Sequence, residues 1–359
     1  MIRIADRHLG TTAVAGMLLA LLTLLALDAF FAVISELGDV GKGSYTVPKA
    51  LWYVVLTLPR RAYDLFPVAS VVGALVGIGG LAASSELIAY RAAGMSRLRI
   101  ASGVVLSTIL VMGPMLFVGE WLAPRTEGVA QMLRVSAQSD NVAVGSDSSL
   151  WVRDGNRFIN ARKPLFGADV DAIVLSDIDL FDIRAGQLEE IAHADSARLS
   201  GGQWVAENIE RSRLGMDRVD TESMEQETWA SLIDPGVLET AVTRPRHLSL
   251  SQLIPYVRYL EANDLDAASY RSAMWWRIAY PVTAVVVVLA GMIFVFGSFR
   301  SGGLGQRLFL GMLLGIGFFF ANRIAVSLGE VYQISAAAMA FTPSVLLALV
   351  SVRILRKGV

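Results

Sequence analysis

Apolar residues in this chain gather into six long runs, three before and three after one long polar interval. Leu65 to Ala83, Ile100 to Gly119, Ile278 to Phe299 and Val331 to Val352 contain no charged residue. Thr11 to Ile34 contains one, Asp28, and Leu308 to Gly329 contains one, Arg323. About twenty apolar residues wound as a helix cross a hydrocarbon core, so each run predicts a membrane span. A cleaved signal peptide is disfavoured for the first run, which is too long and is followed by no small-residue cleavage site.

The interval from about Leu122 to Arg277 has a different pattern. Short segments rich in β-formers recur between turn signals. Ser149 to Arg153 and Arg157 to Ala161 flank Asp154-Gly155-Asn156, a hairpin signal. Ile173 to Leu175 and Ile178 to Ile183 follow, then Leu188 to Leu199, Gly201-Gly202 and a return strand at Gln203 to Arg211. Such short strands suggest a small sandwich or jelly roll. Ser249 to Glu261 reads as a helix leading back to the fourth span. The predicted fold is an α-helical membrane protein with six transmembrane helices and an all-β, jelly-roll-like domain inserted between helices 3 and 4. Its divisions are residues 1–123, 124–270 and 271–359.

Basic residues beside the spans set the orientation. Arg3, Arg7, Arg91, Arg97, Arg99, Arg300, Arg307, Arg353, Arg356 and Lys357 fall on one side, against only Asp6 and Glu86. The short loop between spans five and six has Glu330 and no basic residue. Both termini are therefore expected in the cytoplasm and the β-domain outside it.

Composition narrows the chemistry. Hydrophobic residues make up 54% and charged residues 18% of 359, below the quarter typical of soluble domains. The 31 basic and 32 acidic side chains nearly cancel, so no general basic field exists to hold nucleic acid. Cysteine is absent and the three histidines (His8, His193, His247) are far apart, which argues against a zinc site and excludes a thiol nucleophile. Gly41-Lys42-Gly43-Ser44 lacks the spacing of a phosphate loop, and no G-x-S-x-G or H-E-x-x-H pattern occurs. The chain is expected neither to hydrolyse ATP or peptides by itself nor to carry a cofactor. One intramembrane aspartate and one arginine are thin support for a secondary transporter or an intramembrane protease.

Four features remain. Ser84 to Met95 reads as a short cytoplasmic helix between two spans, with Glu86 in its first turn and Gly94 as its stop. It is either a topology-fixing loop or a coupling helix, at about 84–96, that docks on a separate ATPase. Arg323, inside a span, either snorkels, pairs within the protein, or meets an anionic ligand. Lys42, Lys49, Arg60 and Arg61 sit in the outer loop between spans one and two, where the apolar stretch from Val47 to Leu58 reads as an interfacial helix. Glu36, Asp39 and Asp64 share that loop, which leaves solvated surface as the competing reading. Gly73 with Gly77, and Gly311 with Gly315, have the spacing that lets membrane helices approach closely.

Several stretches carry a family resemblance. They are Glu36-Leu37 through Gly41-Lys42-Gly43-Ser44-Tyr45, Leu58-Pro59-Arg60-Arg61, Ser84 to Ser96, Gly119-Glu120-Trp121-Leu122-Ala123-Pro124, and Leu150 to Phe158. Asp234-Pro235, Tyr256 to Leu260 with Asp266-Ala267, and Phe296-Gly297 to Arg300-Ser301-Gly302-Gly303 continue the series. In this order they resemble the lipopolysaccharide export permease family LptF/LptG, its LptG branch in particular, over nearly the whole chain.

The resemblance implies a six-span permease half of the inner membrane with a periplasmic jelly roll. Such a chain pairs with an LptF-like permease chain and binds an LptB-like ATPase homodimer, which holds the ATP and magnesium. Its jelly roll hands lipopolysaccharide to an LptC-like membrane-anchored bridge protein by strand addition. Spans one and five line the lateral gates and cavity. By the same carry-over Glu86, Arg91 and Gly94 belong to the ATPase-coupling helix. Lys42, Arg60, Arg61, Arg134 and Arg323 become substrate-binding candidates for the lipid phosphates, a task that suits the arginine fork. Phe30, Phe31 and Phe319, with Leu18, Leu22, Phe318 and Phe320, are candidates for the acyl-chain wall. Where some relatives carry several lysines at the outer end of span one, this chain has Val33, Glu36, Asp39 and Val40, leaving Lys42. The alternatives from other classes are a membrane sensor with a separate cytoplasmic effector and a polytopic lipid-modifying enzyme.

Overall fold

The computed structural model describes residues 4–138, 150–154, 157–165, 174–184, 187–200, 203–215, 218–229, 245–296, 304–332 and 334–357. Asp234-Pro235 and Gly297 to Gly303 lie outside the described residues, as do the turns at 155–156 and 201–202. The chain divides into two compact units, one of residues 1–40, 47–130 and 268–359, the other of residues 41–46 and 131–267.

The first unit is helical. Its helices are α1 (Ile4–Leu37), α2 (Val47–Ala83), α3 (Glu86–Ala92), α4 (Arg97–Phe117), the first part of α5 (Ala123–Gln138), α7 (Ala268–Phe296), α8 (Leu304–Val331) and α9 (Ala336–Lys357). All six expected spans are helices long and apolar enough to cross a membrane. The stretch from Val47 to Leu58 is no separate interfacial helix but the first third of α2. Arg60, Arg61 and Asp64 interrupt the apolar run in sequence, yet each is paired in the structure, so the helix carries on through them.

α2 is the hub. It packs on α1, α7 and α8, and its inner end enters a core that includes Ile78, Ile100, Val288 and Met292. Glycine lets the backbones meet. A Cβ on Gly73 would stand 2.3 Å from the Met17 Cα, and one on Gly16 would stand 2.2 Å from the Gly73 carbonyl oxygen. A side chain at either position would force α1 and α2 apart, which is why the Gly73–Gly77 spacing matters at this crossing. On the other side of α2, Gly315 of α8 lies against Val68 and Val71, and Gly311 lies against Leu75.

The second unit contains a sheet: β1 (Leu150–Asp154), β2 (Arg157–Leu165), β3 (Val174–Arg184), β4 (Gln187–Ser200), β5 (Gln203–Leu214) and β6 (Val219–Trp229). Each strand pairs antiparallel with its sequence neighbour, in the order β1-β2-β3-β4-β5-β6. The Asp154↔Arg157 and Ser200↔Gln203 pairs close two of the turns anticipated from the Gly-Asn and Gly-Gly dipeptides. Ala192 and Ala194 of β4 and Trp204 and Ala206 of β5 alternate onto the buried face, as a half-buried sheet requires, and the left-handed Asn208 (φ 53°) shifts the phase so that Ile209 follows. A bulge at Asp182/Ile183 shifts the register of β3 against β4.

The same unit includes α6 (Leu250–Ala262), opened by a reciprocal cap: Ser249 Oγ accepts from the Gln252 backbone N–H, and Gln252 Oε1 accepts from the Ser249 N–H. Such a cap is worth about 1 kcal/mol.

Candidate functional site

The turn between α2 and α4 is built by three local devices. Ser85 adopts a left-handed conformation (φ 66°) that breaks α2 from α3. Leu87, 5% exposed, anchors α3 to the helical core. Gly94, at φ +88°, ends the turn where a side chain would be strained, and Ser96 then caps α4. Glu86 stands exposed at the start of α3 but is already held. Its Oε1 accepts from Ser84 Oγ at 2.9 Å, and its Oε2 lies 3.3 Å from His8 Nε2 on α1. Arg99 at the start of α4 also reaches α1, donating to Asp6 at 3.1 Å. The turn is thus tied to the N-terminal end of α1 from two sides, with Arg91 and Gly94 exposed on its surface.

A third of the way along α2 the two arginines are spoken for. Arg60 Nε donates to Asp64 at 3.3 Å, one turn along the same helix. Arg61 Nη1 donates to Asp28 Oδ2 of α1 at 2.7 Å, and its Nε donates to Thr57 Oγ1 at 3.0 Å. Asp28, read from sequence as a lone charge in a span, is therefore the counter-ion of a residue read as a phosphate ligand. A charge at membrane depth demands a partner, but the sequence did not say which residue that partner is.

Arg323 is exposed on α8 and has no ion-pair partner among the described residues. Lys42 and Arg134 belong to the second unit, and neither is a free cation. Phe30 and Phe31 project from α1, 61% and 59% exposed, in an edge-to-face pair. Phe319 is half-buried, with its ring edge-on to Trp276 of α7.

Two polar features escaped the sequence reading. A cavity of about 40 Å³ lies between α2, α7 and α8, lined by Asp64, Trp276, Tyr280, Thr283, Phe319 and Asn322 among others. Asn322 is 1% exposed, and neither of its amide atoms has a protein partner. The volume accommodates one or two water molecules, which would satisfy that amide. The second feature joins α2 and α7 to a π-turn at Val118–Leu122, just after α4. Arg277 Nη1 donates to the Gly119 carbonyl at 3.1 Å and to Glu120 at 2.9 Å. The Tyr63 and Tyr280 rings stack at 4.1 Å, and the Tyr280 hydroxyl donates to the Tyr63 carbonyl. Gly119 has no Cβ because the Tyr63 ring fills that space, 2.3 Å from where one would stand.

Burial distinguishes the six spans. In α2 and α7 more than half of the most apolar window is buried, against 33% in α4 and 22% in α9, and in α1 and α8 the shares are 22% and 17%. Both of these open helices seat on α2, by the glycine contacts described above. Their exposed faces carry Leu18, Leu22, Phe30, Phe31, Phe320 and Ile324. Contiguous apolar surface of this kind serves lipid, ligand or a partner helix. Among the described residues no group of His, Asp or Glu is arranged to hold a metal ion.

Comparison with known proteins agrees with this layout. The model of the family described as lipopolysaccharide export system permease LptF/LptG matches residues 7–357. A Haemophilus influenzae protein named lipopolysaccharide export system permease protein LptG is 30% identical over 348 residues, 96% of each chain. An Escherichia coli protein of the same name is 29% identical over 357 residues, covering 99% of this chain and 98% of that one.

Proposed function

The chain belongs to the lipopolysaccharide export permease family LptF/LptG, and from that premise we propose that it is one half of a two-chain permease that lifts lipopolysaccharide from the periplasmic leaflet of the inner membrane and passes it to a periplasmic bridge. It is a multi-pass transporter subunit rather than a catalyst. In this reading both termini are cytoplasmic and the sheet domain is periplasmic. ATP and magnesium bind a partner ATPase dimer, and the second half is an LptF-like chain. A bridge protein of LptC type receives the lipid from the sheet domain.

The observation that carries this reading is the pair of open helices on α2. α1 and α8, unlike the equally uncovered α9, both seat on α2 and leave their apolar faces open, as a laterally gated lipid cavity requires, with Phe30 and Phe31 offered to acyl chains and Phe319 half-buried beside them. Arg323 is an exposed cation on one of these helices, and Arg60 and Arg61 lie at the outer part of the helix on which both seat. Lys42 and Arg134 add basic groups for sugar phosphates. On the inner side, an ATPase that engages Glu86, Arg91 and Gly94 grips a turn joined to α1 through His8 and Asp6. Movement of the turn therefore has a direct path to a gate helix.

Affinity purification of the tagged chain from native membranes in mild detergent tests the assignment. Recovery of an ATPase, a second six-span chain and bound lipopolysaccharide supports it. A chain that carries neither ATPase nor glycolipid, also after cross-linking in cells, contradicts it and favours a sensor.

A further inference from the structure

One face of α4 and α5 is left uncovered, and its chemistry changes along the helix in a fixed order. Leu110 is 73% exposed, Phe117 60% and Trp121 51%, and Arg125 is exposed beyond them. Leu110, Gly113 and Phe117 share this face by helical spacing. Phe117 stacks on Trp121 with ring centres 5.4 Å apart, and the Arg125 guanidinium carbon stands 3.8 Å over the Trp121 ring, so the same face continues across the π-turn. Apolar surface, an indole and a cation follow one another here as tail, interfacial and headgroup layers do in a membrane leaflet.

The lengths agree as well. Leu110 and Arg125 are fifteen positions apart, about 22 Å at the helical rise of 1.5 Å per residue. One leaflet with its headgroup layer is about 20–22 Å thick. Gly113 cuts a notch in the stripe: it is exposed, and a Cβ there would meet nothing within 4 Å. An acyl chain can therefore lie against the backbone between Leu110 and Phe117.

At the other end the cation is held but not neutralised. Contact with the Trp121 ring fixes the Arg125 guanidinium, which has no ion pair or hydrogen bond among the described residues. Of the acids near it in sequence, Glu120 is committed to Arg277 and Glu127 is buried. The five guanidinium N–H groups thus remain for an outside acceptor, and a phosphate takes two of them at once.

We propose that this stripe is a binding site for an anionic glycerophospholipid, with its phosphate on Arg125, its glycerol region beside Trp121 and an acyl chain in the Gly113 notch. The site uses neither α1 nor α8 and does not depend on the permease reading.

The full chain, with the chains that co-purify, is titrated in mild detergent with phosphatidylglycerol or phosphatidylcholine, and bound lipid is counted by native mass spectrometry. The parent should hold phosphatidylglycerol about fivefold better, the worth of one surface cation toward an anionic lipid. Arg125→Gln should erase that preference, and Arg125→Lys should keep part of it, as charge without the planar fork. Arg258→Gln on α6, an equal loss of exposed charge, should match the parent. Phosphatidylglycerol with a photoreactive acyl chain should label the peptide that contains Gly113 and Phe117, and excess lipopolysaccharide should not displace it.

Equal retention of the two lipids by the parent, an Arg125→Gln chain that still prefers phosphatidylglycerol, or label confined to other helices overturns the proposal. Should Arg125→Gln fail to fold, Arg125→Lys decides, and full parental preference there overturns it too. Displacement by lipopolysaccharide would give the stripe to that lipid, and a photoreactive residue at Phe117 that captures a protein in cells would give it to an interface. Either result overturns the proposal.

Discussion

Glu120 and Arg277, 157 residues apart in the chain, meet at 2.9 Å and join the π-turn after α4 to α7. The Arg277 side chain is 9% exposed and lies over the Tyr63 ring of α2 at 5.7 Å, so one guanidinium ties three elements. The wide π-turn frees the Gly119 carbonyl as its second acceptor. This joint braces α2, the π-turn after α4 and α7 against one another.

Removing one partner of a nearly buried ion pair leaves an uncompensated charge. Arg277→Met should therefore lower stability by about 3 kcal/mol, read as a lower thermal unfolding midpoint in detergent. Glu120→Gln combined with Arg277→Met should recover part of the loss, since no charge is then stranded. Equal midpoints for Arg277→Met and the parent would show that the joint carries no weight.

The glycine crossing of α1 on α2 makes a sharper steric prediction. Gly73→Ala places a methyl group 2.3 Å from the Met17 Cα, a backbone atom with nowhere to go. We expect a cost of about 1–3 kcal/mol and weaker disulfide trapping between cysteines introduced on α1 and α2. Gly80→Ala is the control, because nothing lies within 4 Å of its Cβ position, and it should behave as the parent does.

Much of this architecture was legible in the sequence, for a physical reason. A bilayer admits only long apolar helices, so runs such as Ile278 to Phe299 could hardly be anything else. The β-hairpins were marked by Gly-containing turns. β6 (Val219–Trp229) was not seen, because most of its residues are exposed, four of the eleven are acidic, and no apolar alternation marks a strand. The outer part of α2 was misread as a separate helix because Arg60 and Arg61 look like an end until their partners are known.

The candidate site was less legible, because ion pairs between helices leave no local trace. Asp28 and Arg61 are 33 positions apart and Glu120 and Arg277 far more. Residue type revealed that each charge needed a partner but not which one. Asn322 gave no signal at all: a lone asparagine in a span becomes notable only when the cavity beside it is seen.

At the turn between α2 and α4, Glu86→Ala removes the carboxylate that Ser84 and His8 hold in place. Co-purification of the ATPase should fall about tenfold or more, the worth of a charge-assisted contact, while the spans stay folded. His8→Ala should reduce it less, since it frees Glu86 without deleting it. Undiminished ATPase recovery and transport with Glu86→Ala would remove this residue from the coupling site.

Arg323 separates ligand contact from assembly. Exposed and unpaired among the described residues, it contributes little to folding. Arg323→Ala should leave the complex intact on size exclusion and reduce the lipopolysaccharide that co-purifies severalfold, to a degree typical of one charged hydrogen bond. Parallel loss of assembly and lipid would assign it a structural role.

The most direct test of the central claim is transfer itself. Proteoliposomes that hold this chain, its partner permease, the ATPase dimer and the bridge protein are loaded with lipopolysaccharide, and delivery to the soluble part of the bridge is followed after ATP is added. The account predicts delivery that requires ATP and this chain and fails with Glu86→Ala. Delivery that proceeds equally without this chain, or none in the complete assembly with ATP, would contradict it.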